Sequence, residues 1–443
     1  MKLGLQGRKI GPIATEIIEK NALHRFPARP KNYPFVPEKG KGVYIEDVDG
    51  NVFLDFASGV GVCSTGHCHP GVLSAVKEQI DKALHIPGGV QVAEVQAALV
   101  ERISKISPGT SNKTVVLTNS GTEAVEASLK LARYFTKKKG IVAFQGSFHG
   151  RTLGAMSVSS SDISHRSYMG PLIPEIYFVP YPYCYRCLYG LTYPECGLKC
   201  LEYVQSTLFQ KIIYPDEIAA FIFEPIQGEG GVIIPPPEFY KILREITQEN
   251  GILLIADEVQ TGMGRTGRMF CVDHYGIEPD IITVAKGIAS GLPLGAMIAR
   301  SECMKWKPGA HGNTFGGNVV SCAAALATID ILEGEAIKNA EEKGKNFLER
   351  LYRLREKFDF IGDVRGKGLM IGIEIVKDAK TKTPDKLKRD EILKTAFENG
   401  LIILGGGASS IRVLPPLIIS DEEMENGLEI LSKTLGVVAL SKD

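Results

Sequence analysis

Four short apolar runs in this 443-residue sequence end on residues with chemistry to offer. The run "IITVA" (281–285) delivers Lys286, and "GILLIA" (251–256) delivers Asp257. An amine at the end of a buried strand has a lowered pKa when desolvated and then attacks aldehydes. A carboxylate in such a place is costly unless a cation or a hydrogen-bond donor meets it. A protonated ring nitrogen would meet it, and so would Lys286 itself in a structural ion pair. The run "TVVLT" (114–118) leads into "NSGTEAVEASLKLARYF" (119–135). There Asn119 or Ser120 caps a helix, Gly121 lets a ligand approach the backbone, and the free N–H groups of the first turn suit an anion. An ordinary capped helix has the same residues. The run "IVAF" (141–144) leads into "QGSFHGRTLGAMS" (145–157). Phe148 and His149 can cover a flat heterocycle, and Arg151 can hold a carboxylate through two parallel N–H bonds, although packing and a surface ion pair would use the same side chains.

These residues need a scaffold that brings strand ends to one edge. In open α/β sheets, ligands bind beyond the carboxyl ends of the strands. Between about residues 70 and 330, short aliphatic runs, "AAFIFE" (219–224) among them, alternate with helical segments. That pattern predicts an α/β domain with a mostly parallel central sheet covered on both faces. Upstream, "KGVYIEDVDGNVFLDFASG" (41–59) alternates around Asp49-Gly50 and predicts an antiparallel hairpin. Downstream, a Lys- and Glu-rich helix precedes "VRGKGLMIGIEIV" (364–376), another helix, "GLIILGGG" and "SIRVLPP", which reads as a smaller α+β unit. The chain thus divides into an N-terminal segment (1–69), a large domain (70–334) and a C-terminal small domain (335–443), with both chain ends expected in the small unit.

Composition narrows the function classes. The 51 basic and 51 acidic residues cancel, which argues against a global field for nucleic acid or an anionic membrane and favours small-molecule partners. No apolar run reaches the roughly 18–20 residues of a membrane span, and no signal-peptide pattern opens the sequence. A cytoplasmic protein is expected, and its nine cysteines then read as free, catalytic or metal-binding rather than as a secretory disulfide framework. The glycines of "GEGG" and "LGGGAS" lack a P-loop lysine and read as turns, and "TGHCHP" reads as a turn before a helix opening at Pro70.

Together these motifs resemble the class III aminotransferases, fold type I enzymes that use pyridoxal phosphate. The resemblance runs from "GVYIEDVDGNVFLDF" through "GHCHP", "NSGTEA", "FHGRT", "EPIQGEGG", "ADEVQTGMGRTG", "AKGI", "GNTFGGN" and "VRGKGLMIG" to "IRVLPPL". It implies that Lys286 bonds covalently to the cofactor and, once displaced, carries a proton between Cα and the cofactor's C4′. It implies that Asp257 keeps the pyridine nitrogen protonated, as the cofactor's role of electron sink requires. Ser120, Gly121 and Thr122 match the phosphate-binding turn. Phe148 would stack on the ring with His149 beside it, Val259 would pack on the other face, and Gln260 would approach the phenolic oxygen. Thr314 matches a residue that reaches the phosphate of a neighbouring subunit's cofactor, so a homodimer, alone or paired into a tetramer, is expected.

For the substrate, Arg151 matches a carboxylate-binding arginine, and Glu229 with Arg412 matches a pair in which the glutamate masks the arginine for one substrate and exposes it for the α-carboxylate of the other. Val60 stands near the position where ornithine-type enzymes carry tyrosine and 4-aminobutyrate-type enzymes carry a small aliphatic residue. The resemblance therefore points to transfer of an amino group from a 4-aminobutyrate-like ω-amino acid to 2-oxoglutarate. An ornithine- or acetylornithine-type aminotransferase and an amino-acid racemase or epimerase of the same branch are the alternatives; racemisation would need a second base opposite Lys286. A non-enzymatic binding module would have been expected to lose Lys286 or Asp257.

The segment "YCYRCLYGLTYPECGLKC" (183–200) stands apart. The spacing of Cys184, Cys187, Cys196 and Cys200 allows a tetrahedral zinc site or, across a dimer, an iron–sulfur cluster. Local disulfides and free thiols are the other readings.

Overall fold

The computed structural model describes residues 3–5, 7, 10–26 and 33–440. Strands β1 (Pro37–Lys41), β2 (Tyr44–Asp47) and β3 (Val52–Asp55) form an antiparallel meander. The expected hairpin is its second half. Gly50 takes the left-handed conformation at the turn (φ +78°), while the Asp47 carboxylate accepts hydrogen bonds from the amides of Asp49 and Asn51 at 3.0 and 2.8 Å.

Seven strands build the central sheet: β4 (Lys113–Thr118), β5 (Gly140–Phe144), β6 (Ile176–Val179), β7 (Ile218–Phe223), β8 (Leu253–Asp257), β9 (Ile281–Val284) and β10 (Gly295–Arg300). Their order is β4-β10-β9-β8-β7-β5-β6. Pairing is parallel from β6 to β9, and β10 runs antiparallel to both its neighbours. Every residue of β5, β7, β8 and β9 is buried, as helix cover on both faces demands. The helix Gly121–Thr136 contributes seven buried residues to that cover, among them Ala124, Leu131 and Ala132.

The C-terminal strands are β11 (Ile361–Lys367), β12 (Met370–Asp378), β13 (Thr383–Pro384), β14 (Leu401–Ile402), β15 (Leu404–Gly406) and β16 (Ser410–Val413). Strands β11, β12, β16 and β15 pair in that order, and β13 pairs with the far end of β12. Strand β14 leaves this group and pairs in parallel with β3, setting Leu401 against Leu54 and Ile402 against Asp55. The two ends of the chain therefore meet in one sheet. Phe397 is sandwiched between Tyr33 and Phe53, each ring centroid 4.8 Å away, and an aromatic side chain buried this way contributes about 1.5–3 kcal/mol. The expected architecture is present: a mostly parallel central sheet, with smaller sheets built from both ends of the chain.

Candidate active site

A cavity of about 910 Å³ opens at the carboxyl ends of the parallel strands, and Lys286, Asp257, Arg151 and Arg412 all line it. Lys286 follows β9 after one residue and opens a single helical turn, Lys286–Ala289. Its backbone is left-handed, φ +44°, which costs a non-glycine residue about 1–2 kcal/mol and is retained only where the surroundings enforce it. The next residue is closely packed: a Cβ on Gly287 would run into Ser64 Oγ. Among the described residues, Nζ of Lys286 forms no ion pair or hydrogen bond. Burial pulls its pKa from 10.5 down to about 8; Arg412 pushes the same way, while Asp257, Glu224 and Glu229 oppose. The amine therefore deprotonates near neutral pH, as a nucleophile and proton carrier must.

Asp257 is not paired with Lys286. Its Oδ2 lies 2.6 Å from Nδ1 of the buried His149, and its Oδ1 accepts from Thr283 Oγ1 at 2.9 Å and from the Val259 amide at 3.1 Å. These bonds fix the carboxylate in one orientation and leave the lysine free. His149, expected beside a bound ring, lines the cavity and also backs the Asp257 carboxylate, and its Nε2 has no partner among the described residues.

Ser120 caps the helix Gly121–Thr136, its hydroxyl accepting from the Glu123 amide at 3.3 Å. The first intrahelical bond runs from Ala124 N to Ser120 O, so the amides of Gly121 and Thr122 precede it and are open to an anion. Gly121 is required by close approach: a Cβ there would stand 2.8 Å from both methyls of Val259. Thr122 and Thr152 hydroxyls join at 2.8 Å. Gln260 is buried with its Oε1 unpartnered. Phe148 is held through its amide, which donates to Glu224 Oε1 at 2.8 Å, and the Arg151 guanidinium lies 5.6 Å from the Phe148 ring centroid.

The outer wall carries two arginines in different states. Arg151 is exposed to the cavity mouth. Arg412 on β16 is buried and bound to Glu229, Nη2 to Oε2 at 2.7 Å, with Nε donating to Gly405 O at 3.0 Å and Nη1 unpartnered. Val60, 42% exposed, projects from a turn where it adopts φ +70°, a genuine outlier for a β-branched residue. Thr314 is exposed and lies outside this cavity's lining.

With this geometry in place, the comparisons with known proteins converge. The family profile described as "Aminotransferase class-III" matches residues 26–435. The chain belongs to the class III aminotransferases. It is 41% identical to an alanine/serine racemase of Pyrococcus horikoshii over 96% of this chain and 91% of that protein. It is 40% identical to a probable 4-aminobutyrate aminotransferase of Bacillus subtilis over 90% of this chain and 92% of that protein. Among solved structures, a thermostable (S)-enantioselective omega-transaminase from Thermomicrobium roseum superposes with a TM-score of 0.88 at 31% identity, covering 97% of this chain and 99% of that one. Curated relatives thus carry both aminotransferase and racemase names. Class III aminotransferases use pyridoxal 5′-phosphate on small amino and oxo acids, and the cavity fits that cofactor: an open helix start for a phosphate, an unbonded lysine amine, and the Asp257 carboxylate at the cavity wall for a protonated ring nitrogen.

Glu224 lines the same cavity and was absent from the sequence-derived set. It accepts from the Phe148 amide and, through Oε2, from the Gly228 amide at 2.9 Å, so it clamps together the loops bearing Phe148 and Glu229. Burial raises its pKa to about 7, with His149 and the two amides opposing and Asp257 assisting. Its signal was in the sequence: like Asp257 and Lys286, it is a charged residue closing an apolar run, "AAFIFE".

Of the readings open for the cysteine segment, the structure shows free thiols. Cys184, Cys187, Cys196 and Cys200 are free, half-buried thiols, as are the other five cysteines in being free. Among the described residues no group of three or more His, Cys, Asp or Glu side chains is arranged to hold a metal ion. Cys184 sits in a 3-10 turn, Cys200 lies in a short helix, and burial pushes both thiols up to about 11, neighbouring cysteines adding to the rise. No helix of the described residues is long and apolar enough to cross a membrane.

Proposed function

We propose that this protein transfers the amino group of an ω-amino acid resembling 4-aminobutyrate to 2-oxoglutarate. The carrying observation is the asymmetry of the two arginines, Arg151 open at the cavity mouth and Arg412 masked by Glu229 at 2.7 Å. A donor with one distal carboxylate needs one arginine. A dicarboxylate acceptor needs two, and releasing Arg412 from Glu229 provides the second.

Bound pyridoxal phosphate supplies an electron sink for the carbanion left when a C–H bond beside nitrogen is broken. The chain's own residues do the rest on this reading. Lys286 holds the cofactor and moves the proton, helped by a pKa near 8. Asp257, oriented by His149 and Thr283, keeps the ring nitrogen protonated. Ser120, Gly121 and Thr122 hold the phosphate, Phe148 and Val259 enclose the ring, and Gln260 meets its phenolic oxygen. Val60 leaves room for a linear donor. Thr314 serves the phosphate of a second copy, which makes the working unit a homodimer. We assign the chain's divisions to 1–69, 70–334 and 335–443 and its location to the cytoplasm.

Racemisation is the second reading, favoured by the 41% identity to an alanine/serine racemase. One assay separates the two. The cofactor-loaded protein is incubated with 4-aminobutyrate and 2-oxoglutarate, and with single enantiomers of alanine, serine and leucine without any oxo acid. Glutamate formed only in the first mixture supports transamination. Conversion of an enantiomer to its racemate without oxo acid, and no glutamate, would overturn it.

A further inference from the structure

A charged cluster outside the cavity touches the two segments that carry the Glu229–Arg412 pair. The Arg365 side chain on β11 donates from Nη2 to Gly231 O at 2.6 Å and from Nε to Val232 O at 2.8 Å, gripping the loop that bears Glu229. The same Nη2 reaches Ser410 Oγ at 3.0 Å, two residues before Arg412 on β16. Glu374 on β12, fully buried, ties the grip down: it takes Arg365 Nη2 at 2.7 Å and the hydroxyls of Ser409 and Ser410 at 2.8 and 2.6 Å. Arg186 and the Tyr183 hydroxyl reach the same carboxylate from the cysteine-bearing segment at 2.5 and 2.9 Å. Burial alone would raise the pKa of Glu374, but Arg365, Ser410 and Arg186 bring it down to about 2, so it stays charged. The two walls also meet directly. The Gly407 amide donates to Glu229 O at 2.8 Å, and a Cβ on Gly407 would strike Gly230 O.

We propose that Arg365, held by Glu374, is the positioning residue of the Glu229–Arg412 pair. Arg365 touches neither Glu229 nor Arg412 by side chain. It fixes the spacing between the 229–232 loop and β16, so that Glu229 reaches Arg412 when its own carboxylate is wanted there and Arg412 stays in place when Glu229 leaves. Lysine cannot replace it, because the planar fork serves two carbonyls, a hydroxyl and a carboxylate at once. The catalytic consequence rests on the reading that Arg412 takes the acceptor's α-carboxylate; the positional claim does not.

The test uses cofactor-loaded parent protein, R365K, R365M and the milder S410A. Hydrogen–deuterium exchange is followed by mass spectrometry, and KM is measured for each substrate. In R365M, peptides spanning 228–232 and 405–412 should exchange about tenfold faster or more, the loss expected for hydrogen bonds to a charged group, while peptides confined to the strands β7, β8 and β9 themselves stay unchanged. R365K and S410A should fall between R365M and the parent. KM for 2-oxoglutarate should rise about tenfold, with KM for 4-aminobutyrate changing by less than about threefold. Unchanged exchange in both segments, or faster exchange throughout the chain, overturns the positional claim. Local loosening with an equal rise in both KM values overturns the link to Arg412. Should the parent form no glutamate, the proposed function fails, yet exchange still decides whether Arg365 positions the pair.

Discussion

The Asp257 cluster and the Glu229–Arg412 pair are both acid–base contacts lining one cavity, yet they are built in opposite ways. Asp257 closes a central strand and is held by three donors: imidazole, hydroxyl and amide engage its two oxygens and leave acceptor capacity toward the cavity. Arg412 and Glu229 come from different sheets and loops, Glu229 is 35% exposed at its side chain, and Arg412 keeps a buried, unpartnered Nη1. A carboxylate held by three donors at the end of a rigid strand is fixed in place. A pair bridging two elements, with a donor to spare, can part without disturbing the sheet, and on the proposed reading that suits it to accept and dismiss a second carboxylate. On the proposed function, fixed proton chemistry sits on the sheet and adjustable recognition at the seam between sheets.

The comparison breaks most visibly on the sheet side. Replacing Lys286 with Ala should lower turnover of every substrate by at least about 10³-fold, as expected when a positioned proton carrier is removed; rapid-mixing absorbance of the bound cofactor measures it. Asp257→Asn keeps the shape and removes the charge, and should slow both half-reactions by about 10²-fold and to the same extent. An unequal effect would move Asp257 out of the fixed class.

A pH experiment sharpens the same point in stability. Burial holds the Lys286 amine at about 8 against 10.5 in an exposed chain. Between those values the folded, cofactor-free protein binds fewer protons than the unfolded one, so its stability rises with pH there. The penalty is fully present below pH 8, on the order of 3 kcal/mol. Lys286→Met should therefore unfold at higher denaturant than the parent at pH 7, with the gap narrowing as pH climbs through and beyond about 8. The smallest effect belongs to the strained turn: Val60→Gly relieves a positive φ and should stabilise the protein by about 1 kcal/mol in the same titration.

Much of the sheet-side chemistry was legible because it obeys a local rule. A charged residue ending an all-apolar strand marks the carboxyl edge, and Lys286, Asp257 and the Ser120–Thr122 turn follow from it together with the alternation of strands and helices. The hairpin around Gly50 was legible for the same reason, since turn chemistry is local. His149 was legible as a residue of the site but not as the partner of Asp257, because the contact joins residues 108 apart in sequence. Resemblance to a family named Glu229 and Arg412; their arrangement with Arg365 and Glu374 depends on how three C-terminal strands pack on a loop after β7, which no window of sequence encodes. The cysteines show the converse: favourable spacing did not produce a metal-holding group of three or more side chains among the described residues.

The most direct test of this division separates the two half-reactions in Arg412→Ala. The bound cofactor is followed after mixing with 4-aminobutyrate alone, and then, from the amino form, with 2-oxoglutarate alone. Loss of a charged hydrogen bond used by one substrate predicts that the second half-reaction slows at least about tenfold more than the first. Equal losses in both would contradict the account, because Arg412 would then belong with Asp257 among the fixed groups.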